Sequence, residues 1–414
     1  IKKLRAGDFD EKMLQANINN FKLYELQSME SNEGRADIFV NSFINGTNWE
    51  DEVTAIDRMA KLTKEDIVAF ADKYLKEDNY AVVYKKQGKD PNEKKMTKPE
   101  ITPIVSNRDV ASPFLTSIQE NAVKPIEPVF LDFKKDMSQL TAKSDIPVLY
   151  KQNTTNDLFQ LIYVFDMGNN NDKALGTAFD YLEYLGTSDM TPEELKSEFY
   201  RLACTFYVSP GNERTYVVLS GLNENMPAAI QLFEKLLADA QVNKEAYDNL
   251  VGDILKARAD AKLNQGQNFS RLMNYAMYGP KSPATNLLTE AELASMNPQE
   301  LVDRIHNQNN YKHRILYYGP SSSKDLLATI DQYHQVPATL KDIPTGNEFS
   351  YLETPATKVL VAPYEAKQIY MAQISNLDKK YDPAIEPTRE LYNEYFGGGM
   401  NSIVFQEMRE TRGL

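Results

Sequence analysis

An α+β fold, with a mixed and mostly antiparallel sheet packed against helices, is what the 414-residue sequence predicts. Three observations point to it. Strand-like and helical segments occur in blocks instead of alternating strictly, which disfavours a parallel doubly wound sheet. Two pairs of segments match one another at nearly equal offsets, the sign of a repeated unit of roughly 200 residues. The composition, 42% hydrophobic and 25% charged, supplies a core for each of the about two to four domains this length allows.

Taken in order, Phe9 to Tyr74 reads as helical throughout, because Met13, Leu14, Ile18 and Phe21, then Ile67, Val68 and Ala71, recur at three- or four-residue intervals. It closes on Tyr80–Tyr84, which is strand-like. Between Gln87 and Phe130 six prolines in a polar context without periodicity mark a linker, with bounds at 89–130. Val148–Tyr150 and Leu158–Val164 then read as two strands joined by an Asn/Thr/Asp turn, followed by a helix from about Asp172 to Leu185. Thr191-Pro192-Glu193-Glu194 is a helix start: Thr caps open N–H groups, Pro fits the first turn, and the third-position Glu reaches back to the cap. Thr205–Ser209 and Tyr216–Ser220 flank a Pro-Gly-Asn turn as further strands. Helices follow around Ile230, Phe233 and Leu237 and over about Lys244–Met277.

The repeat joins these elements. LTKEDIVAFADKYLKEDNYAVVY from Leu62 aligns without a gap to MNPQELVDRIHNQNNYKHRILYY from Met296, each a capped helix, a turn and a strand ending in aromatics. Val148-Leu149-Tyr150 lies on Val359-Leu360-Val361, and Leu182–Gly186 lies on Asn393–Gly397. The chain therefore divides into the end of one unit (1–88), a linker (89–130), a complete unit opening with a strand pair (131–330) and the start of another (350–414). Both ends read as cuts inside a longer protein.

The charge balance excludes some functions. With 46 Lys+Arg against 59 Asp+Glu, the net charge of −13 opposes binding to nucleic-acid phosphates. No segment approaches the roughly 18 apolar residues of a membrane span. The lone Cys204 permits no intrachain disulfide, fits an envelope or periplasmic location as well as a cytoplasmic one, and reads as a buried structural thiol. His306, His313 and His334 are spaced too widely to assemble a local zinc site.

Four further features are candidates for chemistry. Asp180, Glu183 and Tyr184 share a helix face at three- and four-residue spacing, which also describes a solvated acid pair beside a core Tyr. Asp253 is a second helix acid, whose plain reading is an ion pair with Lys256 or Arg258. Gly397-Gly398-Gly399 before a helix suits a tight turn better than a phosphate cradle, since it lacks the Gly-Lys-Ser/Thr ending. The last helix carries Ile403, Val404 and Met408 on one face and Gly413 as a possible C-cap, with Arg409 and Arg412 among Glu407 and Glu410, where surface ion pairs are the default.

The segment FGGGMNSIVFQEMRETRGL closely resembles the Gly-rich turn and helix in the fourth domain of the pitrilysin (inverzincin) zinc metallopeptidases, the family that includes insulysin, presequence proteases and the mitochondrial processing peptidase. The resemblance is specific at Asn393–Leu414 and weaker elsewhere. It implies homologous α+β domains paired into two halves that close like a clamshell over a peptide. The family's zinc motif is H-x-x-E-H on a helix, with a distant Glu as third ligand. The corresponding positions here are Asp180, Glu183 and Tyr184, with the distant acid near Asp253. Both imidazoles are replaced, so the resemblance implies a degenerate, non-catalytic third domain. It implies zinc in the parent protein but bound outside this chain, in a missing N-terminal catalytic domain, and peptide substrates as partners. Arg409 aligns with the Arg of the family's Arg-x6-Tyr pair, implying a substrate-binding role. The implied function is the non-catalytic chamber wall of a zinc metalloendopeptidase; the alternative is an inactive scaffold or partner subunit of an active homologue. A negative wall would favour peptides with basic residues.

Overall fold

The computed structural model describes residues 1–88, 96–100, 110–366, 368–376 and 381–413. Its N-terminal region is helical but broken: α1 (Lys2–Arg5), α2 (Lys12–Ser28), α3 (Asn32–Asn45), α4 (Trp49–Val53), α5 (Ala55–Met59) and α6 (Lys64–Tyr74). The breaks fall where the sequence supplies caps. Ser31 accepts from the Gly34 N–H to start α3, Gly46 ends it in the left-handed region at φ 63°, and a reciprocal Thr63–Asp66 box starts α6. Of the expected linker, residues 89–95 and 101–109 lie outside the described residues, and the rest carries α7 (Pro113–Gln119).

A six-stranded sheet follows: β1 (Ser138–Ala142), β2 (Ile146–Gln152), β3 (Leu158–Phe165), β4 (Cys204–Pro210), β5 (Thr215–Leu222) and β6 (Arg314–Gly319). The order is β1-β2-β6-β3-β5-β4, with β2–β6 parallel and the other neighbours antiparallel. The expected pairing of β2 with β3 is therefore corrected, because β6 lies between them. The connection 153–157 is long enough to step across the roughly 10 Å that two strand spacings require. Asn153 pins it there, its backbone N–H donating to the Gly319 carbonyl at 2.8 Å and its amide to Leu158 O at 3.2 Å.

The helices are α8 (Leu175–Leu182), α9 (Pro192–Arg201), α10 (Met226–Asp239), α11 (Lys244–Lys262), α12 (Gln265–Tyr278), α13 (Glu290–Ser295), α14 (Pro298–Asn307), α15 (Ser323–Tyr333) and α16 (Glu386–Asn393). The Thr191 capping box forms as its sequence requires, with Thr191 N–H donating to Glu194 Oε2 at 2.8 Å and Thr191 Oγ1 accepting from the Glu194 N–H at 3.2 Å. α8, α9, α10 and α15 pack on the strands around one continuous core. The edge strand β4 alternates buried Cys204 with exposed Thr205, Tyr207 and Ser209, the mark of a sheet solvated on one face. Helix α2 docks on α9, where Asn20 Nδ2 donates to the Tyr200 carbonyl at 2.8 Å.

The repeat is realised in its helices and only partly in its strands. α6 and α14 begin at aligned positions, and α8 and α16 occupy aligned spans. Of the two aligned aromatic strands, Arg314–Gly319 is β6, whereas Tyr80–Tyr84 is in no strand, with Val83 93% exposed. Val148–Tyr150 lies in β2, whereas Val359–Val361 is irregular. A helix closes its hydrogen bonds within itself, while a strand needs a neighbouring chain. The two irregular segments have no ladder partner among the described residues.

Among the polar side chains buried in the core are Glu234 on α10 at 1% exposure, His334 after α15 at 0% and His313 ahead of β6 at 6%. His313 Nδ1 faces the Tyr311 carbonyl at 2.7 Å and so carries the proton, leaving Nε2 to accept from His334 Nε2 at 2.9 Å. His334 Nδ1 lies 2.6 Å from Glu234 Oε1, and Glu234 Oε2 accepts from Asn309 Nδ2 at 2.9 Å and the Gln335 N–H at 3.0 Å. Both carboxyl oxygens of Glu234 and all four ring nitrogens of the two histidines thus have hydrogen-bond partners inside the core. Burial, and then the His334 charge, push the His313 imidazole down to about 4.

Glu234→Leu leaves His334 Nδ1, Asn309 Nδ2 and the Gln335 N–H without their partner, so it should cost about 3 kcal/mol or more in denaturant unfolding. His313 titrates in its own window. Its folded value is depressed below the ordinary 6.5, so its contribution is present above pH 6.5 and is lost as pH falls toward 4, by about 3 kcal/mol in all. His313→Asn should lower stability at pH 7 yet flatten the loss between pH 6.5 and 4, checked by urea midpoints at both ends of that range.

Candidate functional site

The positions matching the zinc helix lie at the end of α8. Its apolar face, Leu175, Ala178, Phe179, Tyr181 and Leu182, is buried in the core, which turns Asp180 outward. Tyr181 Oη donates to the Asn243 carbonyl at 2.5 Å and accepts from the Asn243 N–H at 2.8 Å. Asn243 caps α11, so this pair of bonds locks α8 to the start of the helix that carries Asp253. Tyr181 and Tyr247 add an edge-on ring contact at 5.8 Å.

On this frame Asp180, Glu183, Tyr184 and Asp253 are all exposed. α8 ends at Leu182, with Glu183 as its C-cap at φ −62°. Surrounding atoms, and secondarily the Glu183 carboxylate, raise the Asp180 carboxyl above its ordinary range. The ion pair expected between Asp253 and Lys256 or Arg258 is absent among the described residues.

Catalytic zinc draws three protein donors onto one open coordination sphere. Among the described residues no three His, Cys, Asp or Glu side chains converge in that way. The imidazoles are engaged elsewhere: His306 Nε2 faces the Ala240 carbonyl at 3.1 Å, and the other two form the buried relay. An exposed set of carboxylates and a phenol does not fit a catalytic zinc, and no chemical step is derived from it.

The remaining candidates resolve locally. Cys204 is 1% exposed and burial pushes its thiol up to about 12, so it packs as a small apolar group. It sits against Gly221, at φ 150°, where an added Cβ would lie 2.3 Å from the Ala203 carbonyl oxygen. Gly397 and Gly398 lie in a π-helical turn, Glu394–Gly398, and the Ser402 N–H closes on the Gly399 carbonyl at 3.0 Å, as a tight turn requires. Arg409 lies in a second π-helical segment, Phe405–Glu410, its guanidinium 4.7 Å from the Phe405 ring centre. The ion pairs expected for Arg409 and Arg412 are absent among the described residues. Gly413 takes φ 69° and its N–H donates to the Arg409 carbonyl at 3.1 Å, the geometry of a C-cap glycine.

No family model matches the chain. An uncharacterized zinc protease of Rickettsia felis is 21% identical over 260 residues, covering 59% of this chain and 59% of that protein. The chain thus matches less than two thirds of that relative's length. The crystal structure of an M16 peptidase inactive domain from Pseudomonas fluorescens superposes with a TM-score of 0.50 at 16% identity, over 67% of this chain and 69% of that one. A periplasmic protease of Escherichia coli gives a TM-score of 0.48 at 12% identity, over 84% and 43%. A zinc protease is thus among the sequence relatives, and the chain shares its fold with an M16 peptidase domain.

Proposed function

We propose that this chain is the non-catalytic portion of a zinc metalloendopeptidase and forms the wall of a chamber in which peptides are enclosed and cut. The observation that supports this reading is the fold shared with an M16 peptidase domain, together with the exposure of Asp180, Glu183 and Tyr184, which the resemblance aligns with the zinc motif. In this reading residues 1–88 end a second domain, 89–130 join the two halves, 131–330 form a degenerate third domain and 350–414 begin a fourth. Zinc and the general-base Glu belong to a domain outside this chain, where the metal would activate water for attack on the peptide carbonyl. Arg409, stacked on Phe405 and without a carboxylate partner, keeps its N–H fork open to a peptide carbonyl.

The chain alone should retain far less than stoichiometric zinc after dialysis and should not hydrolyse a quenched fluorescent peptide; stoichiometric zinc would overturn the assignment. In the complete parent protein, chelation should abolish hydrolysis and added zinc should restore it. There Asp180→Asn and Tyr184→Phe should leave kcat/KM within about twofold, whereas Arg409→Ala should lower it about 100-fold. A parent that binds peptide without cutting it would favour the inactive scaffold or partner subunit instead.

A further inference from the structure

The last turns of α11, the middle of α12 and the loop ahead of α13 enclose a cleft of about 720 Å³. Arg258 and Lys262 line it from one face of α11, four residues apart, and Arg271 lines it from α12. Glu290 is the single carboxylate in its lining. Among the described residues, none of the three cations makes an ion pair or a side-chain hydrogen bond. The negative end of the α11 dipole accounts for Lys262 in the final turn. It does not account for Arg271, which sits in the interior of α12. Like charges at this spacing repel, and an anion between them removes that cost. The rest of the lining is substantially apolar, with Leu255 half-buried and Tyr275 and Leu287 exposed at 53% and 50%. A lone inorganic anion would leave those side chains uncovered.

We propose that this cleft binds an acidic peptide segment, whose carboxylates lie between Arg258, Lys262 and Arg271 and whose neighbouring apolar side chain covers Leu255, Tyr275 and Leu287. Guanidinium forks accept carboxylates bidentately, and the volume admits several side chains. The cleft thus has the opposite sign to the chain as a whole, whose net charge is −13. The inference goes beyond the chamber-wall reading and stands without it, since it concerns binding by this chain and not hydrolysis.

The test is fluorescence anisotropy with a fluorescein-labelled peptide alternating Glu and Leu, against the same peptide with Gln for every Glu. The Glu peptide should bind at least about tenfold more tightly, and raising salt from about 0.05 to 0.5 M should weaken it by a similar factor. The combined variant Arg258→Gln, Lys262→Gln, Arg271→Gln should lose about tenfold or more in affinity with an unchanged thermal midpoint. Lys256→Gln, which removes a charge from α11 outside the cleft, should not. Equal binding of the two peptides, undiminished binding by the triple variant, an equal loss in Lys256→Gln, or complete displacement by inorganic phosphate at millimolar concentration would each overturn the proposal.

Discussion

The insertion of β6 between β2 and β3 is the contact on which the sheet depends. β6 is bonded on both sides, parallel to β2 and antiparallel to β3, and without it those strands would stand about 10 Å apart with open backbone edges. β6 reaches this place only after the excursion from α8 to α14, which includes the β4–β5 hairpin. The closure entropy of that excursion opposes the two ladders that β6 makes. The helices that carry the candidate site are part of the excursion, so their positions follow from where β6 docks.

The Glu234–His334–His313 relay sits beside that docking point. His313 directly precedes β6, Glu234 belongs to α10 and His334 follows α15, so one chain of hydrogen bonds joins the successive elements β6 and α15 to the distant α10. A buried hydrogen bond contributes modest net stability, because desolvation of its polar groups opposes their attraction. Its effect lies in penalising other arrangements: any docking of β6 that separates the partners leaves buried polar groups unpaired. The same contacts occupy two of the three histidines.

The charge of the chain and the charge of its clefts are separate quantities. An excess of acid over base leads from composition to a negative wall, yet three unpaired cations surround the cleft at the end of α11. Field at a surface depends on placement, and residues on adjacent helix turns concentrate a sign that the average dilutes. The end of α8 shows the converse, where Asp180 and Glu183 lie together and burial, then the Glu183 carboxylate, hold Asp180 above its ordinary range.

The sequence alone determined the local elements. Capping residues set the starts of α6 and α9, periodicity set α10 to α12, and the repeat placed α16 opposite α8, because a helix forms its bonds and its amphipathic face from neighbours in the chain. Strands were legible only where a partner existed. β1, with the polar sequence Ser-Gln-Leu-Thr-Ala, went unread, and Tyr80–Tyr84 and Val359–Val361 read as strands yet form none, since a ladder is a property of two segments. Tertiary structure alone decided the pairing of β6 with both β2 and β3, the burial of His313 and His334 against Glu234, and the meeting of Arg258, Lys262 and Arg271 at one cleft. Apart from Arg258 and Lys262, one turn apart on α11, each joins residues whose separation along the chain carries no periodic signal, so only packing brings them together.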